Sequence, residues 1–361
     1  MTQAPATQSP KPTVNDIARV AGVSLATVDR VLNDRPGVRG ATIDKVNEAI
    51  VALGYVRDTA AANLARRRQY RLAFVLPDGA NEFVAALKDA IAAQAAQLAH
   101  ERTTLRRLAV PPFDPRAVCE MLDGLDPATT DGVAVFGPET PAVRDAVTRA
   151  RARGLAVVAL VADLPSSDRA HFVGIDNVAA GRTAAQLMGR FVRGAGRVLV
   201  ITGSRLARDH LERRHGFDAV MGAEFPGLEV VASIEGRDDP DLIQRMLPDI
   251  FAAYPDLCGI YSSAAGNPGL ISYLRETGRY RDLVVIAHEL TPTSRDALAA
   301  GVFDAIISQD TGHLVRSAVR LMRATADRAP INHTQERIRI DIYLKENMPS
   351  PSVRPDKEDT P

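Results

Sequence analysis

What this chain of 361 residues lacks narrows its function first. It carries only two cysteines, Cys119 and Cys258, far apart in apolar surroundings and without the spacing of a disulfide or a metal site. Such residues fit buried thiols in a reducing compartment. No apolar run approaches the roughly 18–20 residues that a membrane span needs. The first twelve residues are rich in Pro, Thr and Gln and have no apolar h-region, so no secretion signal is expected. The expectation is a soluble cytoplasmic protein with no membrane partner. Catalytic signatures are missing too: there is no G-x-S-x-G, no Walker loop and no C-x-x-C. His288-Glu289 begins a zinc-protease-like string, but Pro292 stands where that string needs histidine. The pair Asp238-Asp239 falls at a helix start, where acids complement the helix dipole. Neither enzymatic activity nor a cofactor or metal is expected.

Net charge is also absent, with 44 Lys and Arg against 44 Asp and Glu, but the balance hides a division. Residues 1–71 hold 11 Lys and Arg against 6 Asp and Glu, leaving the remainder acidic. A basic head on an acidic body is the distribution of a nucleic-acid-binding module attached to something else. The length allows more than one domain.

Residues 13–39, TVNDIARVAGVSLATVDRVLNDRPGVR, carry the head. Val14, Ile17, Ala18 and Ala21 keep the spacing that gives a helix one apolar face. Gly22 ends that helix, Val23 tucks back under it, and Ser24 N-caps a second helix running to about Asn33. Val28, Val31 and Leu32 face inward there, leaving Leu25, Ala26, Asp29 and Arg30 outside. Short side chains with one arginine suit entry into a DNA major groove, although the pattern alone also fits an ordinary helical hairpin. A third segment, residues 42–53, places Ile43, Val46, Ile50 and Leu53 on one stripe and ends at Gly54-Tyr55. A small-residue run at 58–65 and Arg66-Arg67-Arg68 follow. That run favours helix but is too short to hold one alone in water.

The stretches DIARVAGVS, TVDRVLN, VRGAT, LGYVRD and ANLARRR closely resemble the DNA-binding head and hinge of the lactose-repressor (LacI) family, nearly continuously over about sixty residues. The resemblance implies a dimer on a near-palindromic operator. Leu25, Ala26 and Arg30 would then read bases, and Ser24 and Thr27 would sit against phosphate. Asp29 would accept from a cytosine amine or orient Arg30, with Asn33 closing the same face. It also implies that Leu64 wedges into the minor groove at the operator centre, although the residue by itself also fits a linker side chain packed on the core. Arg66, Arg67 and Arg68 suit phosphate contact, although such a charge run is often only a solvated linker.

From residue 70 the periodicity changes. Near-continuous apolar strands at 71–77, 103–110, 131–137 and 155–161 alternate with helices at 82–99, 114–124 and 140–153. A second series has strands at 171–176, 197–203, 228–236, 257–264 and 283–289, with helices at 178–192, 208–224, 239–253 and 267–277. A strand at 305–310, a helix at 311–327 and an alternating edge strand at 337–344 complete it. Such alternation means two doubly wound parallel α/β sheets with a cleft at the strand C-terminal ends. FVLPDGANEF, VGIDNVAAGRTAA, LERRHGF, VVIAHEL and ISQD are similar to the type I periplasmic sugar-binding fold, the effector domain of the lactose-repressor family.

The expected organisation is a disordered lead-in at 1–11, a helix-turn-helix head at 12–57, a hinge at 58–71, a two-lobe domain at 72–346 and a disordered tail at 347–361. Lobe 1 takes 72–173 and 303–327; lobe 2 takes 174–302 and 328–346. The run at 174–185 lacks G-x-G-x-x-G, and Asp176 or Asn177 is expected to N-cap a helix at the crossover. For the cleft, the resemblance points to Arg213, Glu289 and Gln309. Asn81 and Phe83 offer an amide for hydroxyls and a ring for an apolar sugar face, and Asp163 is the nearest acid after the fourth strand. The usual Asp-Arg pair of sugar-binding relatives is replaced by Val161-Ala162, and their Asn-Asp by Ala264-Ala265 with Asn267 following. Those losses argue against a plain hexose or pentose and leave a polyol, a sugar acid or another small polar metabolite. The expectation is a ligand-responsive repressor with operator DNA, a small effector and a second copy of itself as partners. The alternative, a solute-binding protein of the same fold, lacks its signal peptide here.

Overall fold

The computed structural model describes residues 12–32, 36–53 and 68–350. Asn33, Leu64, Arg66, most of the hinge, the lead-in at 1–11 and residues 351–361 of the tail lie outside the described residues. The tail expectation fails at its start, where Asn347 ends a short 3-10 turn and its side chain bonds Leu344 N and Ile342 O. The chain forms two compact units, 1–68 and 69–361.

The first unit is a three-helix head: α1 (Val14–Ala21), α2 (Leu25–Leu32) and α3 (Gly40–Leu53). The Asp16 carboxylate accepts from the Thr13 backbone N–H and hydroxyl at 2.9 and 2.8 Å, fixing the start of α1. Those bonds, the backbone one foremost, hold its pKa down to about 2. Gly22 ends α1 at φ +65°, and Ser24 Oγ accepts from Thr27 N at 3.2 Å to cap α2. Ile17, Val28, Val46 and Ala49 are the buried centre, with Ala18, Ala21, Val31, Ile50 and Leu53 packed around them. Val14 and Ile43, expected on the inner stripes, are instead exposed. Each lies in the first turn of its helix, at the rim of a core only four residues wide.

The second unit holds two sheets. The first contains β1 (Tyr70–Pro77), β2 (Thr103–Val110), β3 (Gly132–Val135), β4 (Ala156–Leu160) and β5 (His171–Val173), all parallel, in the order β2-β1-β3-β4-β5. The second contains β6 (Gly196–Thr202), β7 (Leu228–Val230), β8 (Ile234–Glu235), β9 (Leu257–Ser262), β10 (Val284–His288), β11 (Ala305–Ser308) and β12 (Asp341–Tyr343). Its order is β12-β11-β10-β9-β6-β7, with β8 also paired to β6. The central strands are apolar and buried because helices cover both faces, whereas edge strand β2 alternates and exposes its arginines.

The covering helices are α4 (Glu82–Leu98), α5 (Pro115–Asp123), α6 (Pro141–Ala152), α7 (Asn177–Phe191), α8 (Arg208–Glu224), α9 (Pro240–Ala253), α10 (Asn267–Thr277), α11 (Pro292–Ala299) and α12 (Thr311–Asp327). Their starts are written locally: Asn81, Asp114, Thr140, Asp176, Asp239, Thr291 and Asp310 accept backbone N–H groups as N-caps. Proline follows the cap in α5, α6, α9 and α11, where no partner for its missing N–H is needed. No helix among the described residues is long and apolar enough to cross a membrane.

Three expectations need correction. The strand at 305–310 does not belong to lobe 1: β11 pairs parallel with β10 and antiparallel with β12 in the second sheet, and only α12 crosses to pack on β3 and β4. The strand at 228–236 is broken at 231–233 into β7 and β8, with Ser233 accepting from Arg214 of α8. The edge strand at 337–344 pairs only over Asp341–Tyr343, the length that faces short β11.

Candidate functional site

In the head, Ser24 just before α2 and Leu25, Ala26, Asp29 and Arg30 on it are exposed, with Thr27 half-buried beside them. Leu25 is 50% exposed, a large apolar side chain presented to solvent at the start of the helix. Ser24 and Thr27 share a hydroxyl–hydroxyl bond of 2.9 Å that holds both at the entry to this face.

In the second unit a cavity of about 150 Å³ opens where both sheets end. An apolar cavity of that size admits a single six-membered ring. Residues at or just after the C-terminal ends of β1, β2, β3, β4, β8, β9 and β10 line it, as a doubly wound sheet dictates.

Its centre is Arg213 on α8, only 3% exposed. Nε donates to Asn177 Oδ1 at 2.9 Å and Nη1 to the Ser263 carbonyl at 2.8 Å. Nη2 lies 3.9 Å from both Asp209 Oδ2 and Glu289 Oε1, beyond hydrogen-bond reach of either. Two glycines set this position. A Cβ on Gly181 of α7 would fall 1.9 Å from the Arg213 carbonyl oxygen, and one on Gly216 of α8 would fall 2.1 Å from that of Val178. The helices thus touch backbone to backbone, which brings Arg213 against Asn177.

Glu289 accepts from Gln309 Nε2 at 2.9 Å and from the Gln309 backbone N–H at 3.3 Å. Its burial raises its pKa, against the lowering effect of Arg213. Burial raises that of Asp238 as well, whose carboxylate accepts from Asn81 Nδ2 at 3.0 Å and Ala265 N at 3.2 Å. His288 bonds Tyr261 through Nε2 at 2.8 Å, and burial, then Arg213 and His210, hold its pKa well below the usual histidine value. It is neutral at pH 7. Ser204 N–H donates to His210 Nδ1, which leaves the ring hydrogen on Nε2, 3.5 Å from Asp209 Oδ2.

Two cavity-lining residues carry a buried atom with no hydrogen-bond partner, Asp209 Oδ1 and His288 Nδ1. Backbone strain gathers here too. Among the described residues eight non-glycine positions have positive φ, and Phe113, Val161, Arg237, Asp238 and Glu289 of these line the cavity. Each such position costs about 1–3 kcal/mol and persists only where the surroundings impose it.

The expected effector residues divide. Phe83, Arg213 and Glu289 line the cavity, and so does Asn81. The Asn81 amide is already engaged, since Oδ1 caps α4 and Nδ2 holds Asp238. Gln309 stands behind Glu289 and lines a separate cavity near Asp341 and Tyr343. Asp163 is not at the cleft: its carboxylate forms a double bond pair with Arg169 and accepts from Leu164 N. A partner six residues away captured the acid. Asp238 corrects a second expectation, because Asp239 alone caps α9 while Asp238, at φ +58°, turns into the cleft. Asp209 and His210 escaped notice in the sequence, although Asp209 stands one turn before Arg213 on the same helix face.

Comparison with known proteins follows this division of the chain. The family described as "Periplasmic binding protein domain" matches residues 72–329, more than half of the chain, and "Bacterial regulatory proteins, lacI family" matches residues 13–58. The chain belongs to the periplasmic binding protein domain family and carries a lacI-family head at residues 13–58. Among lacI-type relatives, Catabolite control protein A of Priestia megaterium is 43% identical over 75 residues, covering 21% of this chain and 23% of that protein. The match to that relative therefore spans about a quarter of its length. HTH-type transcriptional regulator DegA of Bacillus subtilis (strain 168) is 26% identical over 258 residues, 68% of this chain and 74% of that protein. The second unit is similar in fold to an ABC transporter solute binding protein of Burkholderia graminis C4D1M in complex with D-arabinose. That structure has a TM-score of 0.69 and 25% identity, over 78% of this chain and 98% of the other.

Proposed function

We propose that this protein is a ligand-responsive transcriptional repressor of the lacI family. It works in the cytoplasm as a homodimer on a near-palindromic operator, with a small polar metabolite held in the cleft. The observation that carries the reading is the pairing, in one chain, of an exposed Ser24–Arg30 face with a cleft in which two buried polar atoms, Asp209 Oδ1 and His288 Nδ1, lack partners. The first suits major-groove contact, with Arg30 able to take a guanine bidentately. The second suits a ligand, since a buried polar group left unpaired costs about 1–3 kcal/mol that a bound molecule recovers. The lacI-type head favours a regulator over a transport binding protein of the same effector fold. No catalytic role is assigned.

Ligand and DNA must be linked reciprocally: a ligand that changes operator affinity by some factor has its own affinity changed by the same factor. Fluorescence anisotropy on a labelled operator duplex, with and without a cleft ligand, tests this. The reading expects operator affinity to shift by about fivefold or more, the low end of common coupling energies. Ligand binding that leaves operator affinity untouched would sink it.

A further inference from the structure

Within residues 68–350 the chain passes between the two sheets three times. It runs from β5 into α7 through 174–176, from β11 into α12 through 309–310, and from α12 back to β12 through 328–340. Because α12 packs on β3 and β4 while β12 belongs to the second sheet, the last segment joins the lobes as the other two do. Histidines tie it to both of them. His171 opens β5, the strand that leads into the first crossing, and its ring meets that of His333 on the third, with centroids 5.6 Å apart and planes tilted by 51°. His313, in the first turn of α12 after the second crossing, bonds through Nε2 to the Gln335 carbonyl at 3.1 Å. Three of the chain's seven histidines therefore gather at the junction of the lobes. Neither His171 nor His333 lines the cleft.

The two histidine ties answer acid differently. A carbonyl only accepts, so His313 Nε2 carries a hydrogen and keeps its bond with the ring neutral or charged. Protonating His171 or His333 instead puts a cation against a second imidazole. The titratable and charged groups that act on His171 are His333 and Arg169, which oppose its proton, and Glu336, which favours it. Glu336 is already engaged, accepting from Arg320 at 2.8 and 2.7 Å and from Ser317, both on α12. Arg169 is held by Asp163 at 2.7 Å. Burial, then His333 and Arg169, keep the His171 pKa below the ordinary histidine value of 6.5. As pH falls through that value, a ring released into water takes up a proton that the packed ring refuses, so acid favours release.

We propose that the His171–His333 contact is an acid-sensitive pin on the third crossing between the lobes. Neutral, the pair holds residues 329–336 against β5. Protonated, it frees them and loosens one of the three ties that set how the lobes stand to each other. The device acts apart from the cleft and does not depend on which molecule the cleft holds.

The test is hydrogen–deuterium exchange of the full-length protein, read by mass spectrometry at about pH 7.5 and about pH 5.5, either side of the ordinary histidine value. Rates are corrected for the intrinsic pH dependence of amide exchange. Protection in peptides spanning β5 and residues 329–340 is expected to fall about tenfold at the lower pH, the change in an opening equilibrium that takes up one proton over one pH unit. The central strands β3 and β4 are expected to keep theirs. His333→Gln replaces an exposed ring by an uncharged polar chain and is expected to abolish the pH dependence of both peptides. His100→Gln, exposed just beyond α4, is expected to retain it. Equal protection at the two pH values, or the same loss in His333→Gln as in the parent, overturns the pin. A loss that extends to β3 and β4 overturns it too, because acid then unfolds the lobe as a whole.

Discussion

Val161 and Glu289 occupy equivalent positions in the two lobes. Each is the first residue after a central strand of its sheet, β4 or β10, and each has a left-handed backbone, φ +68° and +66°. Val161 N donates to Val173 O of β5, and Glu289 N donates to Ile307 O of β11, both at 2.8 Å. The duplicated scaffold places one side chain on either wall of the cleft, and the sequence makes one of them apolar and the other acidic. A β-branched residue at positive φ is strained, so the apolar choice at Val161 is held by its surroundings and not by local preference.

Removing the central cation should weaken the effector unit. Arg213→Ala takes the cation from between buried Asp209 and Glu289, and taking one partner from a buried ion pair costs about 3–5 kcal/mol. Denaturant unfolding should show that loss in the transition of the effector unit, and ligand binding should vanish. An Arg213→Ala protein as stable as the parent would mean that these carboxylates are neutral in the folded state.

The raised pKa of Glu289 gives a pH dependence with a definite sign. Below 4.5, the ordinary glutamate value, the side chain is neutral in both the folded and unfolded chains. As pH climbs past that value the unfolded chain releases a proton that the folded chain retains. Folded-state stability therefore falls until the raised pKa is passed. Glu289→Gln removes this contribution, so its thermal midpoint relative to the parent should rise as pH climbs above 4.5. A constant offset across that range would contradict the assignment.

The contact between α7 and α8 gives a third expectation. Gly181→Ala forces the helices apart at the Arg213 carbonyl and should cost about 1–3 kcal/mol, the usual penalty for overpacking. It should also weaken ligand binding, because Arg213 moves away from Asn177. Gly222→Ala on α8 meets nothing within 4 Å and serves as the control. There helix propensity predicts a gain of about 0.5–1 kcal/mol instead.

In the head and hinge, Arg30→Ala should flatten discrimination at one operator base by about 1–3 kcal/mol while sparing affinity for unrelated duplexes. We propose that Leu64 wedges into the minor groove, so Leu64→Ala should weaken operator binding and leave ligand affinity unchanged. Anisotropy titrations against operator and scrambled duplexes separate the two effects.

The features legible in the sequence are those set by near neighbours. Gly22, Ser24 and the Asx or Thr caps each act within three residues of themselves, so the head and the lobe helices could be read from the string. Arg213 and Glu289 stood out only through the resemblance to sugar-binding relatives, since neither has a local pattern that marks it as a cleft residue. The misplaced β11 shows the opposite case, because strand pairing is decided by residues far along the chain and Ala305–Ser308 has no local mark of which sheet it joins. Asp163 and Asp238 exchanged expectations for a similar reason. A nearby Arg169 removed one from the cleft, and a left-handed turn carried the other into it.

Selection of duplex DNA from a random pool by the full-length protein tests the central claim most directly. The account predicts enrichment of two near-palindromic half-sites, lost in Arg30→Ala, with binding that weakens steeply as salt rises. A pool that stays random, or a single asymmetric site bound by one copy of the chain, would contradict it.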